Sequence, residues 1–456
     1  MSIVLLQNKK LVNTRKYFVS TVIITTIFNV LALKTSAQDS TKQLSLFNAI
    51  VATLNNNKSI QLAQLDESIA ASNYKQTSAI FLPQVGFSYT AMSTNNPLNA
   101  FGFKLQQKSI TQNDFSPDLL NHPSWTSDFM TKLEVQQPII NMDMWYKRKA
   151  ADKQIELYHY KTQRTKEYLT FEAQKAYMQL QLAYDAVKVL EEALETTKSV
   201  YTFTNNHYQQ GLIQKSDVLN AQVRMASVES NLAKAKSNIG NASDQLSLLM
   251  GKPGGTIYKV SSLSIEFAKM DTATKITSSR SDLLAMQKAI EATDLMIKSN
   301  KMSYLPKVNA FGSYQLNDKR MLGFGANAYL AGVQLTWNIF SGNSIKNTIN
   351  TQTLERNKLA EQLTDQKDQS QLELNKAYRD LADAQNDIQQ QKIAVDQASE
   401  ALTILQNRYQ QGLVNTTDVL MAATQLSQQK FNLSQAVFTS NVTRAYIQLL
   451  TSSTNK

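Results

Sequence analysis

Two long stretches of the chain carry the apolar periodicity of helices that pack along their whole length. Apolar residues recur at alternating spacings of four and three from Leu169 to Leu194, and again from Leu374 to Leu405 with one break at Gln391. Such spacing is typical of helices packed as coiled coils. We therefore predict long helices over residues 142–206 and 342–407.

The other helical segments are shorter. They are predicted at residues 42–80, 215–250, 280–303 and 416–451. A helix of about 65 residues is about 96 Å long at 1.5 Å per residue. Because this length exceeds the diameter of an ordinary domain, we expect the long helices to cross a space. Two short helices stacked end to end would match one long helix in length.

Between the helices lie four segments in which apolar and polar residues alternate. These segments are predicted as strands near residues 83–92, 129–140, 306–316 and 326–340, each with one apolar face. Such strands fit a membrane β-barrel, although a half-buried sheet of a soluble protein shows the same alternation. A barrel needs about eight strands to close. A membrane placement therefore requires several copies of the chain.

One twelve-residue pattern occurs twice, 201 residues apart. Residues 208–219 and 409–420 are identical at eight of twelve positions, which indicates one supersecondary unit used twice. Each copy has a central Gly suited to the turn after a helix. We expect N-caps of the following helices at Ser216-Asp217 and Thr416-Thr417-Asp418. The turns either reverse the chain only or form a working surface at one end of the molecule.

The N-terminus has the features of a secretory signal peptide. Basic residues precede an apolar run from Phe18 to Leu33, and Thr35-Ser36-Ala37 follows as a cleavage site. We predict a signal peptide over residues 1–37. Because the chain has no Cys, we expect neither disulfides nor a thiolate metal site.

Part of the formal charge of +11 belongs to this leader. Removing the leader with its five basic residues leaves +6, which we expect to be dispersed over more than four hundred residues. A nucleic-acid partner requires clustered positive charge. No nucleic-acid partner is therefore expected.

The chain offers little material for catalysis. Its three histidines, His122, His159 and His207, are isolated, and no nucleophile elbow, phosphate loop or zinc-protease motif occurs. The fourteen Met residues form no tight cluster, so metal export is not favoured over other cargo. We expect no enzymatic activity, no cofactor and no bound metal.

Taken together, three features resemble the TolC-like outer-membrane efflux protein family. They are the doubled Tyr-x-x-Gly-Leu turns, the Leu-Pro junctions at Pro83 and Pro306, and the doubled order of helix, strand, strand, helix, turn and helix. The resemblance implies a homotrimer whose twelve-stranded outer-membrane barrel, four strands per chain, continues into a long periplasmic α-helical barrel. It implies a passive exit duct for efflux or type I secretion, which contacts outer-membrane lipid, a periplasmic adaptor and an inner-membrane pump.

The same resemblance divides the mature chain into two structural repeats. The first repeat is expected at residues 38–250 with its tip turn at 208–213. The second is expected at residues 280–456 with its tip turn at 409–414. Residues 251–279 are expected to form an equatorial linker around the middle of the helical cylinder.

The resemblance also implies the residues of the periplasmic tip, where the duct opens and the adaptor docks. These tip residues are Tyr208, Gly211, Leu212, Asp217, Tyr409, Gly412, Leu413 and Asp418. The chain departs from the family at Val414 (Ile213 in the first copy), where a basic residue is usual, and at Met421, where a second acid is usual. We hypothesise that Asp418, with Asp217, constricts the entrance as an acidic ring. The alternative is that both residues only cap helices.

Two other functions stay open from the sequence. A periplasmic adaptor also combines a signal peptide, a helical hairpin and β segments, but it has one hairpin rather than two. A secreted coiled-coil structural protein would not need amphipathic strands with Tyr329 and Trp337. No motif identifies the exported cargo or the partner pump.

Overall fold

The computed structural model describes residues 42–264 and 275–453, which form very long helices attached to one small sheet. The predicted signal peptide and residues 265–274 of the expected linker lie outside the described residues. In chain order the elements are β1 (Lys42–Gln43), α1 (Leu46–Asn56), α2 (Lys58–Gln76), β2 (Gln84–Thr94), α3 (Pro97–Gln106), α4 (Pro117–Asn121), β3 (Thr126–Ile140), α5 (Met142–Gln209), α6 (Lys215–Leu249), β4 (Tyr258–Lys259), α7 (Ser281–Met302), β5 (Lys307–Asp318), β6 (Ala326–Thr336), α8 (Ser344–Gln410) and α9 (Thr416–Thr451). The fold is mainly helical, as predicted.

The two longest helices follow the predicted periodicity. Helices α5 and α8 contain 68 and 67 residues, and each is about 100 Å long. Most side chains of α8 are polar and exposed, whereas one stripe is buried: Leu374, Ala377, Leu381, Ala384 and Ile388. The stripe holds α8 against its neighbours, and the opposite surface of the helix is left to solvent or to another chain.

The four long strands form one antiparallel sheet in the order β2-β3-β5-β6. Each inner strand pairs on both sides, whereas β2 and β6 each pair on one side only within the described chain. The backbone N–H and C=O groups along the free side of each edge strand therefore have no ladder partner in this sheet.

The two faces of the sheet differ in polarity. Paired residues share a face, so Val85 with Val135 and Phe87 with Leu133 lie on one side. This apolar side continues across the sheet to Tyr329 and Val333, and its large side chains are exposed. The other side carries polar residues such as Lys132, Glu134, Ser88, Gln315 and Ser313. The sheet thus exposes its apolar face, unlike a half-buried soluble sheet.

The long connection between β2 and β3 contains two helices, α3 and α4. Helix α3 is held to the sheet by Gln107, whose Nε2 donates to Asp128 Oδ1 at 2.9 Å. Asp128 Oδ2 also accepts from Asn317 Nδ2 at 2.8 Å, and both residues are fully buried. Loop composition alone did not indicate helix α3, which begins at a Pro in its first turn with Asn96 as N-cap.

The helices form one layer in which α5 is central. Toward the sheet, α2 and α7 pack against α5, and α7 also packs against α8. Away from the sheet, α6 and α9 pack against α5, and α9 also packs against α8. Helix α2 therefore occupies the position that α6 takes further along, and α7 occupies the position of α9. No described helix has the length and hydrophobicity needed to cross a bilayer.

Helices α2 and α6 meet end to end at Asn57. The Asn57 side chain caps α2 by accepting from Ser59 N at 2.8 Å, and its Nδ2 donates to Leu249 O at 2.8 Å, at the end of α6. Gly251 has φ +65, and a Cβ there would collide with the Asn56 backbone, so this junction requires Gly. The expectation of one continuous helix over residues 42–80 is wrong, because extended backbone at Asn57 separates α1 from α2.

Helices α7 and α9 meet at a polar junction on α5. Glu167 Oε1 accepts from Ser281 Oγ at 2.5 Å, and its Oε2 accepts from Ser452 Oγ at 3.3 Å and from Arg164 Nη1 at 3.1 Å. Burial raises the pKa of the Asp282 carboxyl, but the hydrogen bond from Arg280 and the charges of Arg164 and Arg280 lower that pKa below its ordinary value. The junction thus fixes both short helices to one long helix.

The described part of the expected linker packs on the outside of this layer. Strand β4 pairs in parallel with β1 at the start of the described chain. Tyr184 Oη of α5 donates to Tyr258 O at 2.8 Å, and Tyr177 Oη donates to Leu44 O at 3.0 Å. The start of the first repeat and the described part of the linker are thereby attached to the middle of α5.

We predict that Asn57→Ala lowers the thermal unfolding midpoint, because it removes both the helix cap and the bond to Leu249 O. Together these contributions amount to about 1–3 kcal/mol. Circular dichroism of the detergent-solubilised protein measures the midpoint. Asn55→Ala is the matched control, since Asn55 is exposed on the preceding helix. Equal midpoints of the two variants would contradict the role of Asn57.

Candidate functional site

The two repeated turns have the same hydrogen-bond geometry. In the first, Leu212 N donates to His207 O and Gly211 N donates to Tyr208 O, both at 2.9 Å. In the second, Leu413 N donates to Arg408 O at 2.9 Å and Gly412 N to Tyr409 O at 3.0 Å. Gly211 and Gly412 have φ of 74° and 73°. Both turns are Schellman motifs, in which the left-handed residue is Gly because a Cβ is disfavoured there.

The helices that follow the turns begin in different ways. Helix α6 has Gln214 as N-cap with no side-chain capping bond, whereas α9 begins with a capping box between Asn415 and Asp418. The expected N-caps at Ser216-Asp217 and Thr416-Thr417-Asp418 are therefore wrong. The reason is that both helices begin earlier, which places Asp217 and Asp418 in the first turn.

The two acidic residues have different partners. Asp418 Oδ2 accepts from Asn415 N at 3.3 Å, and Asn415 Oδ1 accepts from Asp418 N at 2.9 Å. Asp217 is half-buried and makes no ion pair with any residue in the described ranges. Capping is thus established for Asp418, and it uses only one of the two carboxylate oxygens.

The two tyrosines of the repeat are not equivalent. Tyr208 is 39% exposed, whereas Tyr409 is 8% exposed and packs on Phe203 with ring centroids 4.9 Å apart. The Tyr409 hydroxyl lies 2.7 Å from Thr204 Oγ1 and 2.8 Å from Thr416 Oγ1. Since Thr204 donates its only hydroxyl proton to Val200 O, Tyr409 donates to Thr204 and accepts from Thr416.

This hydroxyl chain lies within a core that joins the two hairpins. Val200 and Ala221 of the first hairpin pack with buried residues of the second: Leu402, Tyr409, Val419, Leu420 and Ala423. Val414, where the family usually has a basic residue, packs against the same cluster. Two polar links, Arg224 Nη2 to Thr424 Oγ1 at 2.5 Å and Lys430 Nζ to Glu192 Oε2 at 2.6 Å, also connect the hairpins. The two tips therefore pack together as one unit.

The end of this unit presents apolar side chains. Leu212 and Leu413, which directly follow the two Gly residues, are 66% and 68% exposed. No group of three or more His, Cys, Asp or Glu side chains in residues 42–264 and 275–453 could hold a metal. The arrangement supplies apolar contact surface at the end of the two hairpins.

The comparisons with known proteins agree with this architecture. A family model described as outer membrane efflux protein matches residues 49–252 and 273–453. The chain belongs to the outer membrane efflux protein family. This membership confirms the predicted family and the predicted location in the outer membrane with a helical extension into the periplasm.

Individual members of the outer membrane efflux family are distant in sequence. Cation efflux system protein CusC of Escherichia coli O157:H7 is 24% identical over 265 residues, which are 57% of this chain and 53% of that protein. The chain thus spans about half the length of the CusC relatives that it matches. Outer membrane protein TolC of Salmonella enteritidis is 20% identical over 400 residues, which are 84% of this chain and 77% of that protein.

A solved structure shows the same fold as this outer membrane efflux protein. The CmeC outer membrane channel of Campylobacter jejuni superposes with a TM-score of 0.75 at 16% identity, and the match covers 89% of this chain and 85% of that chain.

We predict that Tyr409→Phe loosens the ends of both hairpins. The variant leaves the buried Thr416 hydroxyl without its acceptor, and this costs about 1–3 kcal/mol. Hydrogen exchange followed by mass spectrometry should show faster exchange in peptides that cover residues 198–210 and 405–418. Tyr208→Phe, at the equivalent exposed position, should leave exchange unchanged. Equal exchange in the two variants would refute the bridging role of Tyr409.

Proposed function

We propose that this protein is the outer-membrane component of a tripartite efflux or type I secretion system. It is a passive exit duct formed by a homotrimer. Four strands from each of three chains close a twelve-stranded barrel, and the helices of the three chains continue it as a hollow cylinder into the periplasm. Its partners are a periplasmic adaptor and an inner-membrane pump.

The observation that carries this proposal is the sheet with an exposed apolar face and two free edges. Lipid can cover the apolar face, but it offers no hydrogen-bond partner to the free edges of β2 and β6. Pairing β6 of one copy with β2 of the next satisfies both edges and closes the sheet. The polar face, with Lys132 and Glu134, then lines the lumen.

The aromatic residues support this membrane position. Phe81, Tyr304 and Trp337 are exposed where the sheet meets the helices, and Tyr329 is exposed toward the other end. Aromatic side chains of this kind are enriched at both interfaces of membrane barrels. The helices begin beyond Phe81, Tyr304 and Trp337. The longest of them, about 100 Å long, would then extend through the periplasm.

The tip is the proposed docking and gating end of the duct. Exposed Leu212 and Leu413, presented by the Gly211 and Gly412 turns, offer apolar contacts to an adaptor. Tyr409 holds these turns together from the inside, whereas Tyr208 lies at the surface. Capping and constriction are compatible for Asp418, because the capping bond leaves one carboxylate oxygen free.

Membrane fractionation followed by native mass spectrometry tests the proposal. We expect the mature protein in the outer membrane, released only by detergent, with a mass about three times that of the mature subunit. Reconstituted trimers should conduct ions in planar bilayers. A soluble periplasmic monomer would exclude the duct and favour an adaptor or a fibrous protein.

We predict that Asp217→Asn and Asp418→Asn each reduce the cation preference of the open channel, because a ring of three carboxylates loses its charge. Reversal potentials in a salt gradient, recorded on single channels, measure this preference. Asp66→Asn, which removes an exposed carboxylate from α2, is the matched control. If both tip variants keep the wild-type reversal potential, the two residues have only structural roles.

A further inference from the structure

One cluster of positive charge departs from the expectation of dispersed charge. Lys147, Arg148 and Lys149 follow one another in the second turn of α5, directly after strand β3 ends at Ile140. Lys147 and Lys149 are exposed. Among the residues that the structure describes, none of the three cations forms an ion pair with a carboxylate. The cluster thus carries uncompensated charge at the level where the sheet joins the helices.

Aromatic side chains orient two of these cations. The Arg148 guanidinium lies 4.1 Å from the centroid of the Tyr74 ring and donates to Ser78 Oγ at 2.8 Å, so it also holds the end of α2. The Lys149 ammonium lies 3.8 Å from the centroid of the Trp145 ring. Such contacts position a cation without neutralising its charge.

An apolar cleft of about 270 Å³ adjoins the cluster. It is lined by Phe81, Ile139, Ile140, Met142 and Trp145, which are exposed, and Trp145 is the residue that also contacts Lys149. Ile140 pairs with Val308 on the apolar face of the sheet, so the cleft continues the surface assigned to lipid.

The cleft also contains one polar atom without a partner. Asn141 Oδ1 is buried in the cleft wall and accepts no hydrogen bond within the described ranges. A buried acceptor of this kind is costly unless a donor reaches it. A ligand with an apolar tail and a negative charge would match the cleft and the two cations beside it.

The second repeat lacks the cations. At the constant offset of 201 residues, Thr348, Ile349 and Asn350 stand where Lys147, Arg148 and Lys149 stand in the first repeat. The cluster is therefore not a general requirement of the junction between sheet and helices. It is a property of one repeat and would occur three times around a trimer.

We propose that this cleft binds an anionic phospholipid of the periplasmic leaflet. The phosphate lies at the mouth of the cleft beside Arg148 and Lys149, whose cations contact the cleft residues Phe81 and Trp145, and one acyl chain lies in the cleft. This inference rests on the membrane placement in the proposed function. Basic clusters at the membrane surface attract anionic headgroups, and Trp and Lys side chains extend naturally to this depth.

Native mass spectrometry of the full-length mature protein in detergent tests the site. Phosphatidylglycerol and phosphatidylcholine of equal chain length are titrated separately. We expect preferential retention of phosphatidylglycerol, and about tenfold weaker retention in Lys147→Gln/Lys149→Gln. The control is Lys301→Gln/Lys346→Gln, which removes two exposed cations from the same level of the second repeat. It should retain the lipid like the wild type.

The remaining outcomes separate this inference from the function. Inorganic phosphate at millimolar concentration should not displace the lipid; displacement would reduce the site to a phosphate site and overturn the proposal. Equal retention by both double variants, in a protein that remains an outer-membrane trimer, would also overturn the lipid site and leave the duct intact. A protein that is not an oligomer of the outer membrane would refute both.

Discussion

Lipid offers no hydrogen bonds to a polypeptide backbone, and this constraint determines what the sheet of this protein requires. Strands β2 and β6 each leave one row of backbone groups unpaired, and the apolar face beside them is exposed. In water the free edges would be tolerable but the apolar face would not; in lipid the reverse holds. In the proposed barrel, closure with further copies of the chain would satisfy both.

The helices meet a different requirement, which is to extend the proposed barrel over about 100 Å as a thin layer. Each short helix contributes to a continuous wall because it meets another end to end. Asn57 performs this join for α2 and α6, and Glu167 performs it for α7 and α9. Discrete polar contacts therefore fix the junctions between helices, while buried apolar stripes hold the helices side by side.

The two repeated turn segments share one geometry but differ in the contacts of equivalent residues. Tyr409 is a buried bridge between the hairpins, whereas Tyr208 lies at the surface. Only α9 has a capping box after its turn, and only α5 carries the basic cluster near the membrane. Small substitutions on one backbone thus separate structural residues from residues available for contact.

Much of this arrangement follows from residue patterns, and the exceptions have physical reasons. The long helices and the four strands could be predicted because their periodicity extends over many residues. The break at Asn57 could not, because a single side chain that bonds to Leu249, far along the chain, stabilises it. The roles of the two tyrosines also depend on tertiary contacts, which identical local sequences do not distinguish.

The most direct test of the account is disulfide formation between the two edge strands. The chain has no Cys, so introduced Cys pairs are specific. Each pair combines Ser88→Cys on β2 with Ala328→Cys, Leu330→Cys or Gly332→Cys on β6 of the same chain. Within one chain, β3 and β5 lie between these positions. Strands β2 and β6 are therefore about 14 Å apart, which is too far for an intramolecular disulfide. Closure of the sheet between copies predicts covalent oligomers that end at the trimer for at least one pair. Monomers alone for all three pairs, in protein isolated from the outer membrane, would contradict closure of the sheet between copies.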